Sequence, residues 1–230
     1  MQNVKVISLG GSIVAPDKVD SEFLKGFRKM ILEYLEADDS RRLIFVTGGG
    51  GPARTWQQAY KDICNDHDAD SQDWIGVAAT RLNASLVKGI FGGLCPNDVV
   101  IDPTLDFDFK GKILVAAGWK PGFSSDFDAV ILAEKFGGGT VINLSNIAKV
   151  YSADPKLDPA AVPYDKMSHA QLQELVGDEW VPGKNVPFDP IATKKATELN
   201  LKIIIAAGKD LENLKELLEE RAFEGTLIEE

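Results

Sequence analysis

Leu43-Ile-Phe-Val-Thr47 runs directly into Gly48-Gly49-Gly50-Gly51-Pro52-Ala53-Arg54. The first part is a short apolar run rich in β-branched and aromatic residues, the composition of a buried strand. The second removes the side chains from four successive residues, so backbone N–H groups can approach an anion closely. Pro52 suits the first turn of a helix, where its missing N–H costs nothing. Such a helix aims its positive end at the glycine run. Arg54 adds a planar cation that grips phosphate oxygens in a fork. Strand, glycine run, helix start and arginine together look like a phosphate site behind a strand of an α/β fold; the other reading is a mere tight strand-to-helix turn.

Outward from this stretch, strands alternate with helices. Val4-Lys-Val-Ile-Ser-Leu9 reads as the first strand, with Gly10-Gly11-Ser12 at its C-terminal end. Ligands collect at that edge of an open α/β sheet, so the triplet is either a second phosphate loop or a plain turn. Phe23, Leu24, Phe27, Met30, Ile31, Tyr34 and Leu35 recur at helical spacing behind Asp20, a suitable N-cap. Beyond the glycine run the pattern predicts a helix from 53 to about 63, an acidic surface loop over 65–70, and a helix over 73–87. Gly76 leaves room there for a close approach, while Asp73, Arg81 and Asn83 occupy either a solvated face or a binding one. Residues 99–102, 113–117 and 140–144 are short apolar runs typical of buried parallel strands.

The loop Gly118-Trp-Lys-Pro-Gly-Phe-Ser-Ser-Asp126 has bend-forming composition. Ser124 or Ser125 caps a helix over 127–134, and Asp126 falls in its first turn. A carboxylate there orients cations or a lysine, or simply complements the helix dipole. Tyr151, Asp154 and Pro155 mark an ordered turn whose tyrosine ring can cover a nucleobase. Pro159, Pro163, Pro182 and Pro187 punctuate a stretch with a short helix around 170–176, a candidate lid or subunit contact. Asp189-Pro190 opens a helix with Asp at the N-cap. A strand over 202–207, a helix from 211 to about 221 and a strand at Thr226-Leu-Ile complete the pattern. His67 and His169 have no ligand-spaced partners and read as exposed structural residues. With no repeat and no linker, one α/β domain over 1–230 with a mostly parallel sheet is expected.

Composition narrows the chemistry. A hydrophobic share of 44% and a charged share of 26% are ordinary for a soluble globular chain of 230 residues. The net charge of -10 argues against broad binding to nucleic acid or an anionic membrane. An anionic ligand therefore needs a local pocket. Cys64 and Cys95 support neither a disulfide framework nor a zinc site. Met1-Gln-Asn-Val-Lys-Val offers no signal segment, and no apolar run approaches spanning length, so a cytoplasmic protein is expected. GxxxxGK[ST], GxGxxG after the first strand and GxSxG are all missing. Several glycine-rich loops, each behind a strand, suit two anionic ligands meeting end to end. Phosphoryl transfer fits, since it needs positioning and charge neutralisation rather than a covalent nucleophile.

The order GGS at 10–12, VTGGGGPAR at 46–54, DWIGVAATRLNA at 73–84, GWKPGFSSD at 118–126, VYSADPK at 150–156 and FDPIATK at 188–194 resembles the amino acid kinase family. Within it the chain is most similar to the archaeal-type uridylate (UMP) kinases. The resemblance implies an open αβα sandwich that transfers the γ-phosphoryl of ATP to UMP with Mg²⁺, usually as a hexamer, in pyrimidine biosynthesis. It implies an N-terminal part that takes the acceptor and a C-terminal part that takes ATP. Gly48, Gly49 and Arg54 would bind the UMP phosphate, Asp73 at the start of its helix the ribose, and Thr80 would lie near the nucleotide. Gly10, Gly11 and Gly50 would flank the phosphates being exchanged, and Asp126 would organise the catalytic cations. Ser145, Tyr151 and Asp154 would form the ATP-side loop, with Tyr151 near the adenine.

Two positions depart from the family pattern. Ser8 stands where many members carry a lysine, and Ile147-Ala148-Lys149-Val150-Tyr151 replaces a common V-D-G-V-Y. Lys120 or Lys184 is a candidate for the missing charge, and Lys149 for an ATP phosphate. Two alternatives stand beside the main reading. One is a sister kinase acting on acetylglutamate, carbamate or isopentenyl phosphate. The other, kept open by Ser8 and Ala148, is a non-catalytic nucleotide- or oxoanion-binding or storage protein.

Overall fold

The computed structural model describes residues 3–155, 157–179 and 186–230, so Lys156, Pro182 and Lys184 lie outside the described residues. Strand β1 (Asn3–Leu9) leads into a single helical turn, α1 (Gly11–Val14), and then helix α2 (Ser21–Glu36). Strand β2 (Arg41–Thr47) is followed by helices α3 (Gly50–Ile63) and α4 (Ala69–Phe91). Next come β3 (Ile113–Ala116), α5 (Ser125–Phe136), β4 (Thr140–Ser145) and a small hairpin of β5 (Val150–Tyr151) and β6 (Pro163–Tyr164). The rest is β7 (Lys166–Met167), α6 (His169–Val176), α7 (Pro190–Glu198), β8 (Lys202–Ala207), α8 (Leu211–Leu218) and β9 (Thr226–Ile228).

The main sheet has the order β3-β2-β1-β4-β8-β9-β7. Strands β1, β2, β3, β4 and β8 are all parallel, and β9 pairs antiparallel with β8. Side chains alternate across it. Ile7, Leu9, Phe45 and Leu144 pack with α2, α4 and α8 on one face. Val6, Val46, Val141 and Ile205 pack with α5, α6 and α7 on the other. Two apolar layers on a mostly parallel sheet make the expected αβα sandwich. No helix among the described residues is long and apolar enough to cross a membrane.

Local signals start the helices where the sequence places them. The Asp20 side chain accepts the N–H of Phe23 at the head of α2, Ser124 accepts that of Phe127 at α5, and Asp189 accepts that of Ala192 at α7. Gly137 ends α5 in the left-handed region, at φ 69. Several boundaries differ from expectation. Residues 99–102 form no strand; Val100 makes only an isolated bridge to Ala116. Asp68 caps α4 through the N–H of Ser71, so 69–70 are helical and Asp73 sits one turn inside rather than at the helix start. Helix α8 stops at Leu218 instead of near 221. His169 is buried rather than exposed, because α6 packs against α7 and turns its first residue inward. Burial lowers the imidazole's pKa and keeps it neutral.

The glycine run also has a packing role. A Cβ on Gly11 would lie 2.1 Å from the nitrogen of Gly50, and one on Gly50, at φ +64, would lie 2.2 Å from the carbonyl oxygen of Gly11. A Cβ on Gly48 would meet the Gly11 nitrogen at 2.5 Å. The loops after β1 and β2 therefore touch backbone to backbone. Gly11→Ala should destabilise the chain by about 1–3 kcal/mol or more, since backbone must move to admit the methyl group. Gly139→Ala, where an added Cβ would meet nothing within 4 Å, is the control. Thermal melting of the two variants checks this, and equal melting temperatures would refute the loop contact.

Candidate active site

Strand β1 sits between β2 and β4. The chain winds outward from it to β2 and β3 on one side and to β4 and β8 on the other. The edge between β1 and β4 is thus the switch point of the sheet, where loops diverge and leave a crevice. A cavity of about 510 Å³ opens there. Its wall brings together Gly10, Gly11, Gly48, Asp126, Ser145, Tyr151 and Asp154, all candidate site residues from the sequence. The apolar side chains of Ile147, Leu175 and Val186 line it as well. Polar glycine loops and a tyrosine-bearing apolar wall in one crevice suit a ligand with a charged end and a flat apolar end.

Asp126 stands at the floor. Ser8 Oγ donates to its Oδ1 at 2.9 Å, and the backbone N–H of Asp189 donates to its Oδ2 at 3.3 Å. Desolvation pushes this carboxyl up to about 7, while the Ser8 hydrogen bond pulls the other way and nearby Asp189 adds to the rise. Asp128, one step along α5, is wholly buried beneath the loop. Its Oδ2 accepts the N–H of Trp119 at 3.1 Å, its Oδ1 has no hydrogen-bond partner, and burial pushes it up to about 8.

Of the residues assigned to the acceptor side, Gly48 lines the cavity, whereas Arg54, Asp73 and Thr80 stand outside its wall and hold the loops around it. Arg54 donates through Nη2 to the carbonyl of Pro16 at 2.9 Å. Asp73 Oδ2 accepts the N–H of Gly122 at 3.1 Å. Thr80 Oγ1 accepts the N–H of Gly118 at 2.8 Å. Thr80 and Asp73 thereby tie both ends of the 118–122 turn to α4. Its aromatic rings follow one another, with Trp119 and Phe123 centroids 4.8 Å apart.

Asn83, buried on α4, donates to the carbonyls of Gly48 at 2.8 Å and Gly49 at 3.2 Å. That grip turns the glycine carbonyls towards α4. The amides of Gly10, Gly48 and Gly51 are taken by carbonyls of Leu144, Leu9 and Ala15. Those of Gly11, Ser12, Gly49 and Gly50 make no hydrogen bond to another described residue, which leaves them for an anion.

None of the cavity's described lining residues is Lys or Arg. Lys149, a candidate for an ATP phosphate, instead pairs with Asp165 at 2.6 Å. Lys120 stacks its ammonium 3.8 Å from the Trp119 ring centroid and does not line the cavity. Lys184 lies outside the described residues. Gly49, Gly50, Arg54, Asp73 and Thr80 do not line the cavity. Asp128, Asn143 and Asp189 are site-supporting residues to which sequence reading gave no such role, while for Asn83 it leaves a solvated face and a binding one both open. Their signal was polarity inside an apolar strand or helix face, and that marks burial without naming a partner.

Residues 3–207 match the sequence model of the amino acid kinase family. The chain is 37% identical to the uridylate kinase of Methanospirillum hungatei, over 97% of this chain and 93% of that protein. It is 31% identical to the uridylate kinase of Thermoplasma volcanium, over 98% and 97% of the two chains. The crystal structure of uridylate kinase from Archaeoglobus fulgidus superposes with a TM-score of 0.80 at 32% identity, covering 99% of this chain and 100% of that one. The UMP kinase of Ureaplasma parvum shares the fold, with a TM-score of 0.77 at 18% identity over the full length of both chains.

The Asp128 geometry has a consequence for stability. Its carboxyl rises from 3.8 to about 8 on folding, so the protonated acid is the form the fold favours. The associated stability is full below about pH 4 and is lost as pH rises through about 8. Asp128→Asn keeps a neutral group in the same shape. Its melting temperature should therefore gain on that of the unsubstituted chain between pH 5 and pH 9. Parallel melting curves across that range would show that Asp128 does not titrate there.

Proposed function

The chain belongs to the amino acid kinase family, and we propose that it is a nucleoside monophosphate kinase that moves the γ-phosphoryl of ATP onto UMP to give UDP. The observation that carries this reading is the meeting of two glycine loops with Asp126 in one crevice at the β1–β4 edge. Full-length similarity to proteins named uridylate kinase supports the choice of acceptor.

In this reading ATP lies along the C-terminal half, its base against Tyr151 and the apolar wall and its phosphates reaching past Ser145 and Asp154. UMP comes from the side of the glycine run, with Gly48, Gly49 and Arg54 on its phosphate, Asp73 at the ribose and Thr80 nearby. Gly10, Gly11 and Gly50 flank the phosphates being exchanged. A phosphate oxygen of UMP bonds to the γ-phosphorus as the bond from that phosphorus to the β–γ bridging oxygen breaks, and ADP leaves. The attacking phosphate is largely ionised at neutral pH, with a second pKa near ~6, so no general base is required. The protein's part is alignment and charge neutralisation. The amides of Gly11, Ser12, Gly49 and Gly50 are the groups suited to the latter.

Magnesium bound with ATP would supply positive charge to the phosphates, and Asp126 and Asp154 are the cavity carboxylates that would face it. The cavity offers the carboxylates of Asp126 and Asp154 and neutral oxygens, a hard donor set that fits this ion. We further propose that residues 1–230 act as one domain, that the chain works in the cytoplasm, and that it assembles as a homohexamer.

A second reading, nucleotide binding without turnover, draws on the lack of Lys and Arg among the described cavity-lining residues. An ADP-release assay with Mg·ATP against UMP, CMP, dUMP and acetylglutamate separates the readings. UMP-dependent turnover is expected; tight UMP binding with no ADP release would favour the second. Arg54→Ala should raise KM for UMP roughly tenfold or more through loss of a charge-assisted phosphate contact. Asp126→Asn should lower kcat with little change in KM. An unchanged KM in Arg54→Ala would remove Arg54 from the phosphate site.

A further inference from the structure

Ser8 and Asn143 are register partners on the adjacent strands β1 and β4. Alternation places both on the face that Val6 and Val141 share with α5. They are 2% and 6% exposed. A buried hydroxyl and a buried amide destabilise a sheet face unless they are hydrogen-bonded, and two apolar residues would pack there without that penalty. Both polar groups instead direct their donors around one carboxylate. Ser8 Oγ donates to Asp126 Oδ1 at 2.9 Å. Asn143 Nδ2 donates to the carbonyl of Pro187 at 3.2 Å. Two residues later, the N–H of Asp189 reaches Asp126 Oδ2 at 3.3 Å. Each oxygen of Asp126 is therefore held by a neutral donor, one directly from β1 and one through the 187–189 segment that Asn143 pins to β4. No Lys or Arg stands among the described residues lining the cavity.

We propose that Ser8 and Asn143 are paired positioning residues that fix the orientation of the Asp126 carboxylate where the donor and acceptor phosphates meet. The inference rests on the kinase reading of this crevice. A cationic side chain would draw a carboxylate by Coulomb attraction and also neutralise it. Two neutral hydrogen bonds orient it and leave its charge for the incoming reactants. Loss of one bond frees the carboxylate to rotate, which is a loss of alignment during transfer rather than of substrate affinity.

Steady-state kinetics of Mg·ATP-dependent UMP phosphorylation by the full chain, with a melting curve for every variant, tests this. Ser8→Ala should lower kcat about tenfold, in line with loss of one hydrogen bond to a charged group, with KM for UMP changed less than about twofold. Ser8→Thr, which keeps the hydroxyl, should recover most of the loss. Asn143→Ala should act in the same direction; if it melts below the assay temperature, Asn143→Leu keeps the volume and carries the same expectation. Neither substitution should cost anything further in an Asp126→Asn background, because both act through that carboxylate. A merely structural role would lower the melting temperature and would add its full effect in that background. Unchanged kcat in Ser8→Ala, or full additivity with Asp126→Asn, overturns the positioning role and leaves the kinase reading intact. An unsubstituted chain that binds UMP yet releases no ADP overturns the kinase reading, and the positioning role with it.

Discussion

The contact between the backbones of Gly11 and Gly50 is the constraint on which the site depends. It closes the distance between the loops that follow β1 and β2 to a separation no side chain tolerates at either position. Closure leaves amides of both loops without acceptors in the fold. Unpaired buried amides are costly, so such a junction is held only where surrounding structure over-determines it. Here Asn83 holds the carbonyl side of the glycine run, and Ala15 takes the amide of Gly51. The helices and the sheet supply the rigidity that holds the two loops in contact.

The cavity floor reverses the usual charge balance of a phosphate site. Its acidic side chains are Asp126 and Asp154, and its described wall carries no Lys or Arg. Desolvation pushes the Asp126 carboxyl up to about 7, so its protonated and ionised forms are balanced near neutral pH. Arriving cations would favour its ionised form. Site charge and ligand charge are therefore coupled, and the positive contribution comes from backbone dipoles and from what the substrate carries. This puts more demand on orientation, since amides act over short range and in fixed directions.

Much of this architecture was legible in the residue order because it depends on local chemistry. Apolar runs of β-branched residues marked β1, β2, β4 and β8, and side-chain caps at Asp20, Ser124 and Asp189 marked helix starts. The glycine-rich turns after β1 and β2 stood out for the same reason. What stayed hidden depends on partners distant in sequence. Residues 99–102 have strand composition, but only Val100 finds a bridge, to Ala116. His169 has the flanks of an exposed helix start, but α7 covers it. Lys149 is a candidate for an ATP phosphate by sequence, and the fold brings its ammonium to 2.6 Å from Asp165, between β6 and β7. Ser8 was visible as a departure, yet only the fold sets Asn143 beside it and Asp126 above it. Pattern reveals periodicity and caps; it does not reveal which buried polar groups face each other.

The 118–126 segment links the two halves of the site mechanically. Gly118 and Gly122 are tied to Thr80 and Asp73 on α4. A few residues later the same segment becomes the Ser124 cap and then Asp126 itself. Its middle is stiffened from below, where Asp128 accepts the N–H of Trp119, and from the side by the Trp119–Phe123–Phe127 rings. A ligand hydroxyl that engages the Asp73 carboxylate competes with the Gly122 amide for the same oxygen. Occupation of that carboxylate therefore bears on the loop whose far end carries Asp126. Asp73 and Thr80 stand outside the cavity wall but hold the loop that leads to Asp126, which lines it.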